Sequence, residues 1–155
     1  SIGGNHLIHS ARRNIDITTI CANNMIYGMT GGQVASTTPL RARSSTTPGG
    51  NPWPPFDLCK LVKAAGATYV ARYPVSKPRL LSRAIVRGIR HEGFAFIEAI
   101  STCPTQFGRR NAMRSPVEMI RRLDEMSVSK KEAEKMSPAE LEGKVVYGEF
   151  GDETD

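Results

Sequence analysis

The stretch IDITTICANNMIYGMTGGQ, which runs from Ile15 to Gln33, decides the fold expected of this chain. Its first part, Ile15–Ile20, is apolar and β-branched and predicts a strand that is buried on most sides. Two asparagines, Asn23 and Asn24, follow this run, and a glycine-rich loop comes after them. This order places amide oxygens and backbone N–H groups at one edge of a sheet, where open α/β sheets bind their ligands.

The glycine-rich loop has the chemistry to hold a diphosphate and its metal without a cluster of basic side chains. Glycines let the backbone approach an anion closely enough for successive N–H groups to point at it. Mg²⁺ prefers a few hard oxygen ligands, which the Asn24 amide and a nearby backbone carbonyl could supply. The same pattern also occurs in ordinary turns, so the spacing alone leaves both interpretations open.

The remainder of the chain alternates between helix and strand patterns. Asp57 is a suitable N-cap for a helix that ends at Gly66. Further helices are expected over 5–13 and 80–90, strands over 68–73 and 94–100, and a short strand over 145–150. This alternation predicts the α/β class, a doubly wound parallel sheet with flanking helices.

Two details of these helices are also predicted. Cys59 falls off the apolar stripe of its helix and is not expected in the core. The next helix has one apolar face, with basic residues on the other. That apolar face consists of Leu80, Leu81, Ala84, Ile85, Gly88 and Ile89.

The last third of the chain contains a polar loop and two helix starts. The loop, residues 101–110, carries Cys103 just past a predicted strand, where a thiolate would be accessible as a soft ligand for iron. The position alone is equally typical of an ordinary loop thiol. Ser115-Pro116 and Ser137-Pro138 each place Pro at the first helical position and Glu three residues after the Ser cap. The charged stretch around Lys130–Lys135 is predicted to be a solvated helix.

Composition limits the function classes. The 155 residues carry a net charge of +6 but few aromatic side chains, and the basic residues are dispersed, which argues against nucleic-acid binding. No apolar run reaches the ~20 residues of a membrane span, and nothing resembles a signal peptide, so a cytoplasmic location is expected. The three cysteines, Cys21, Cys59 and Cys103, form no CxxC site and are expected to be reduced.

The detailed sequence around the Asn-Asn loop resembles a known family. The matching residues are Ile2–His9, Ala11–Thr18, Asn23-Asn24 and Ile26–Gln33, followed more loosely by Cys103-Pro104-Thr105, Phe107-Gly108-Arg109 and Gly148-Glu149-Phe150. They resemble the β subunit, which binds thiamine diphosphate, of the 2-oxoacid:ferredoxin oxidoreductases, and most closely the 2-oxoglutarate synthase type.

The resemblance implies roles for several residues. Asn24 would bind Mg²⁺ through its side chain and Ile26 through its backbone carbonyl. The diphosphate would be lined by Gly28, Met29 and Thr30. Cys103 would be the last of four thiolate ligands of a [4Fe–4S] cluster, the other three lying upstream in the family. The resemblance also implies an enzyme that converts a 2-oxoacid to an acyl-CoA.

Partners and missing parts are implied in the same way. An α subunit would complete the enzyme, and ferredoxin, which is generally acidic, would accept the electrons. The family's Gly-Asp-Gly motif, whose Asp is the first metal ligand, would lie just before Ser1, so this chain would be a C-terminal fragment and inactive alone. Ala35-Ser36 stand where the family has Ser-Pro, which puts the local loop conformation in question.

The expected organisation has two parts. Residues 1–126 would form the C-terminal part of a thiamine-diphosphate-binding domain, with a long surface loop over 37–55, and residues 127–155 a charged extension. That loop could instead be a disordered linker. The sequence offers no candidate catalytic acid or base. Alternatives are a thiamine-diphosphate decarboxylase, an acetolactate-synthase-like enzyme, a basic binding module or an inactive remnant.

Overall fold

A mixed, mostly parallel five-stranded sheet forms the centre of the molecule, in the order β1-β3-β2-β5-β4. The computed structural model describes residues 3–113 and 115–151. The strands are β1 (Thr18–Asn23), β2 (Tyr69–Pro74), β3 (Ala95–Ile100), β4 (Ser127–Ser129) and β5 (Val145–Glu149). The helices are α1 (Gly4–Arg12), α2 (Leu58–Ala64), α3 (Pro78–Arg90), α4 (Pro116–Met126), α5 (Lys130–Ala133) and α6 (Pro138–Leu141).

The three neighbouring strands β1, β3 and β2 are parallel and end at the same level. Ile100, the last residue of β3, pairs with Asn23 on one side and Pro74 on the other. Helices α1 and α2 pack on one face through Ala11, Leu58 and Val62. Helix α3 packs on the opposite face. The predicted α/β fold is therefore confirmed.

The C-terminal segment adds an antiparallel element to this sheet. β5 pairs antiparallel with β2, and β4 pairs parallel with β5. Arg87 of α3 and Glu149 of β5 form a salt bridge of 2.6 Å on one side of this junction. The short strand expected over 145–150 is confirmed, and the 126/127 domain boundary stays a prediction.

The prediction of a buried strand over Ile15–Ile20 is wrong in both position and burial. The strand begins at Thr18, and Ile15, Ile17 and Ile20 are 38%, 47% and 49% exposed. Among the described residues, β1 pairs only with β3 and lies at the edge of the sheet. An edge strand leaves side chains uncovered that a central strand would bury.

Two predictions about helix faces are also wrong. Cys59 is 2% exposed and lies in the core, because it shares the buried face of α2 with Leu58 and Val62 and faces strands β2 and β3. Ile89 is 65% exposed, because α3 approaches the sheet through the small residues Ala84 and Gly88. A Cβ on Gly88 would lie 2.5 Å from Cδ1 of Ile97, so any larger residue here would force the buried Ile97 side chain to shift.

The helix caps agree with the sequence. The Asp57 side chain accepts a hydrogen bond from the backbone N–H of Lys60, and the Ser115 hydroxyl accepts one from Glu118. Ser137 and Glu140 form a capping box at the start of α6. The charged stretch forms the four-residue helix α5, which has no buried residue, so the predicted solvated helix is present but short.

The long loop between β1 and α2 is internally bonded. Asn51 is 3% exposed, and its Nδ2 donates to the carbonyls of Thr38 (2.8 Å) and Trp53 (2.9 Å). Its backbone N–H donates to the Ala42 carbonyl at 2.8 Å. These buried bonds favour the surface loop over the disordered linker.

Within the described ranges 3–113 and 115–151, the helices are all too short or too polar to cross a membrane.

Candidate functional site

Two loops meet at the carboxyl ends of β1 and β3. We call residues 24–33 the asparagine loop and residues 101–110 the cysteine loop. The asparagine loop follows Asn23 of β1, and the cysteine loop follows Ile100 of β3, its register partner. Because these strands are parallel neighbours, two segments far apart in sequence leave the sheet side by side.

Several contacts join the two loops. The Ser101 hydroxyl donates to Oδ1 of Asn24, and the Ser101 N–H donates to the Asn23 carbonyl at 2.9 Å. Nη2 of Arg110 donates to the Gly31 carbonyl at 3.3 Å. A Cβ on Gly28 would lie 2.9 Å from Sγ of Cys103, so the backbone of one loop lies directly against the thiol of the other. The structure thus brings Asn24, Gly28 and Cys103 together.

The tip of the asparagine loop is a tight turn. Tyr27 N–H donates to the Gln33 carbonyl (3.1 Å), and Gly32 N–H donates to the Tyr27 carbonyl (2.8 Å). Gln33 Nε2 also donates to the Thr30 carbonyl at 2.7 Å. The Met29 side chain is fully exposed. The turn is therefore fixed at its base and open at its tip.

The backbone donors at this tip have no partner in the described part of the chain. The N–H groups of Gly28, Met29 and Thr30 form no hydrogen bond there with any protein acceptor. Three consecutive free N–H groups on a glycine-containing turn can point at one anion. These donors are therefore available to bind an anion such as a phosphate group.

Two oxygens of the same loop fit a hard cation. Oδ1 of Asn24 accepts from Ser101, and a carbonyl oxygen has a second lone pair available for a metal. Ile26 is a buried residue. Its carbonyl accepts no hydrogen bond from any donor in ranges 3–113 and 115–151. This loop thus carries two oxygens of the kind that Mg²⁺ prefers, at the two positions that the resemblance implies.

A buried polar network lies beneath the asparagine loop, and the sequence analysis did not find it. Glu98 of β3 is 2% exposed and accepts from Nε of Arg72 (2.7 Å) and Nδ2 of Asn23 (2.7 Å). Nη2 of Arg72 also binds Asp57 Oδ1 at 2.5 Å. The signal available was Glu98 itself, an acidic residue within the apolar strand Phe94–Ile100.

The contacts within this network shift the pKa values of Asp57 and Cys59. Burial raises the pKa of Asp57, but the Arg72 charge and the Lys60 N–H outweigh it, so the pKa lies below its ordinary value. Burial raises the pKa of the Cys59 thiol far above its ordinary value, assisted by Glu98 and opposed by Arg72. Cys59 is therefore a neutral thiol, which donates to Glu98 Oε2 at 3.5 Å.

Cys103 has a different environment from Cys59. It is partly exposed and precedes the π-helical turn Pro104–Gly108. Burial raises its pKa, but hydrogen bonds from the Thr105 hydroxyl and the N–H groups of residues 105–107 outweigh this and lower it. The fraction of thiolate, the form that binds iron, is thus higher than in an ordinary cysteine.

Cys103 has no partner ligands nearby in the described ranges. Those residues contain no group of three or more His, Cys, Asp or Glu side chains able to hold a metal ion. A [4Fe–4S] cluster needs four thiolates. The described residues therefore fit one ligand position of such a cluster and no more.

An apolar cavity of ≈310 Å³ borders the asparagine loop on the side of α4. Its lining includes Asn24, Ser101, Arg41, Arg122 and the side chains of four methionines. None of the described residues that line it carries a carboxylate or an imidazole. That the chain supplies no catalytic acid or base stays a prediction.

Comparisons with known proteins give consistent results. The family described as "Thiamine pyrophosphate enzyme, C-terminal TPP binding domain" matches residues 1–99. A 2-oxoglutarate synthase subunit KorB from Methanothermobacter marburgensis is 55% identical over 152 residues, 98% of this chain and 53% of that protein. The corresponding subunit from Methanocaldococcus jannaschii is 55% identical over 152 residues, covering 98% of this chain and 56% of that protein.

A solved structure is also similar over the whole chain. It is a 2-oxoglutarate:ferredoxin oxidoreductase from Magnetococcus marinus with 2-oxoglutarate, coenzyme A and succinyl-CoA bound. The TM-score is 0.79 at 30% identity, covering 100% of this chain and 53% of that one. This chain spans about half the length of the curated relatives it matches.

Proposed function

Because this chain belongs to the thiamine pyrophosphate enzymes, through their C-terminal cofactor-binding domain, we propose that it binds thiamine diphosphate as part of the β subunit of a 2-oxoglutarate:ferredoxin oxidoreductase. The complete enzyme would oxidatively decarboxylate a 2-oxoacid, form an acyl-CoA and pass electrons to ferredoxin. The names of the relatives that are 55–58% identical support this activity and favour 2-oxoglutarate as substrate.

The observation that carries the proposal is the geometry of the asparagine loop. Free N–H groups of Gly28, Met29 and Thr30 stand on the same loop as the Asn24 amide and the unpartnered Ile26 carbonyl. One loop therefore offers donors for an anion and oxygens for a cation, which together match a diphosphate bound with Mg²⁺.

Each residue then has a defined role. Asn24, through Oδ1, and Ile26, through its carbonyl, would bind Mg²⁺, while residues 28–30 would donate to diphosphate oxygens. Thiamine diphosphate, when bound, supplies carbanion stabilisation, the difficult part of the reaction. The described residues hold and orient the diphosphate, and they contribute no acid or base to this site.

We further propose that Cys103 supplies one thiolate to a [4Fe–4S] cluster. Its lowered pKa and its position against the Gly28 backbone support this role. The other three thiolates would come from outside the described residues. Iron content of the assembled enzyme, compared with that of a Cys103→Ser variant, tests this part separately from cofactor binding.

The proposed partners follow from the same assignment. An α subunit would complete the active site, and coenzyme A and ferredoxin would be co-substrates. The net charge of +6 suits an acidic electron acceptor. We also propose a cytoplasmic location, which is consistent with free thiols at Cys21, Cys59 and Cys103.

Calorimetric titration of thiamine diphosphate with Mg²⁺ tests the cofactor assignment. The full-length subunit is co-expressed with its partner, as wild type, Asn24→Ala and the control Asn5→Ala, an exposed asparagine of α1. Binding should be retained in wild type and the control and weakened at least tenfold in Asn24→Ala. Equal affinities in all three would contradict the metal assignment, and a wild type without binding would overturn the proposed function.

Ferredoxin reduction then separates the proposed activity from that of other thiamine-diphosphate enzymes. An enzyme that binds the cofactor but decarboxylates 2-oxoglutarate without reducing ferredoxin would be a decarboxylase instead.

A further inference from the structure

Met25, between the two metal-binding positions of the asparagine loop, has an unusual backbone conformation. Its φ is +59°, in the left-handed region that a bulky side chain rarely adopts. The left-handed conformation of Met25 places Asn24 and Ile26 on the same turn. Such a conformation persists only where surrounding contacts impose it.

Two side chains impose this conformation on Met25. Oδ1 of Asn23 accepts from the Met25 N–H at 2.9 Å, and the Thr38 hydroxyl donates to the Met25 carbonyl at 2.7 Å. Asn23 Oδ1 also accepts from the Thr37 hydroxyl at 2.8 Å. The Asn23 oxygen therefore joins the turn to the following segment of the loop.

The orientation of the Asn23 amide is determined by its neighbours. Its Nδ2 faces Glu98 Oε1 at 2.7 Å, and an ionised carboxylate can only accept. Its oxygen faces the Met25 N–H, which can only donate. Glu98 is fixed in turn by Arg72, and Arg72 by Asp57. The amide can therefore make all its bonds in one orientation only.

We propose that Asn23 is a positioning residue. Its hydrogen bond to Glu98, which Arg72 holds in place, fixes the turn and so sets the positions of the Asn24 and Ile26 oxygens for Mg²⁺. This inference rests on the proposed function and deepens it, because it separates the roles of two adjacent asparagines. Asn24 binds the metal, and Asn23 never contacts it.

A polarity swap tests this role. Asn23→Asp places a carboxylate against Glu98, so repulsion should displace the turn. Combining Asn23→Asp with Glu98→Gln restores the bond with its direction reversed, since the new amide at position 98 can donate to the new carboxylate at position 23. That carboxylate can still accept from Met25 and Thr37, and the amide oxygen at 98 can still accept from Arg72.

The Kd for Mg²⁺, measured calorimetrically on the assembled enzyme with saturating thiamine diphosphate, is the first readout. Asn23→Ala and Asn23→Asp should weaken Mg²⁺ binding by about 10- to 100-fold, the usual effect of losing a residue that orients a metal ligand. The double variant should recover to near the wild-type value. Val62→Ala, a core change in α2, should lower the melting temperature without altering this Kd.

Hydrogen exchange of the cofactor-free protein is the second readout. The Met25 amide should exchange faster in Asn23→Ala than in wild type and Val62→Ala, and the double variant should again resemble wild type. Wild-type metal affinity in Asn23→Ala, or a double variant as weak as Asn23→Asp, would overturn the positioning role. A wild type that binds no cofactor would overturn the proposed function and this inference together.

Discussion

Replacing Arg72 by methionine should destabilise the protein strongly, by about 3–5 kcal/mol. Arg72 is the only cation bound to Glu98 among the described residues, through Nε to Oε2 at 2.7 Å, and it also binds Asp57. Glu98 is 2% exposed, and the methionine that replaces Arg72 could not neutralise its charge. An unpaired carboxylate would remain in the core.

The other partners of Glu98 are too weak to compensate. They are the Asn23 amide and the Cys59 thiol, both neutral, and each such hydrogen bond contributes about 0.5–1.5 kcal/mol net. Adding Glu98→Gln to Arg72→Met removes the buried charge and should recover most of the loss. This double variant also keeps the test informative if the single variant fails to fold.

Urea denaturation of the full-length subunit, followed by circular dichroism, measures these free energies of unfolding. Lys77→Met is the matched control, since Lys77 pairs with Asp124 at 2.7 Å on the surface, and such pairs contribute about 0–1 kcal/mol. If Arg72→Met cost no more than Lys77→Met, or if the double variant recovered nothing, the argument from the buried charge would be refuted.

Two further predictions concern single positions. Gly28→Ala should raise the Kd for thiamine diphosphate about tenfold, equivalent to about 1.4 kcal/mol, because the new methyl would lie 2.9 Å from Cys103 Sγ. Calorimetry beside Gly49→Ala, whose added methyl would meet no atom within 4 Å, checks this, and equal effects would contradict it. The Arg72 charge holds the pKa of Asp57 below its ordinary value in the folded protein, so its stabilising contribution is present above the ordinary pKa and is lost as the pH falls through the folded-state pKa. Asp57→Asn should therefore lose less stability than wild type between pH 5 and pH 2 in urea titrations, and parallel losses would show that Asp57 is not involved.

The parts of the fold that depend on local sequence were predictable. The caps at Asp57, Ser115 and Ser137 depend on residues three positions away, and all three form as expected. The burial of β3 follows from its nearly continuous apolar run. The exposure of β1 was not predictable in this way, because it depends on the order of strands in the sheet rather than on the β-branched composition of Ile15–Ile20.

The same distinction applies to the candidate site, where only the residues that are close in sequence could be predicted. The residues of the asparagine loop are contiguous, so a family resemblance over one glycine-rich stretch was enough to select Asn24, Ile26 and residues 28–30. The support beneath them is not contiguous: Asn23, Arg72 and Glu98 lie on three different strands that only the folded sheet brings together. Hydrogen bonds between residues on different strands produce no regular spacing in the sequence. The only sign of them in the sequence was Glu98, an acidic residue in an apolar strand.

The antiparallel strand β5 has a consequence for the order in which the molecule forms. β5 is synthesised after β2 and every element between them, yet Phe150 N–H donates to the Val70 carbonyl at 2.7 Å, and the Phe150 ring lies 5.6 Å from the Arg72 guanidinium. Until β5 arrives, one edge of β2 is unpaired, and an open edge can pair with another chain. Contacts so distant in sequence also form slowly. The nascent sheet is therefore protected from aggregation only after the C-terminal segment has been added. The Arg72–Glu98 pair is fully enclosed at the same stage.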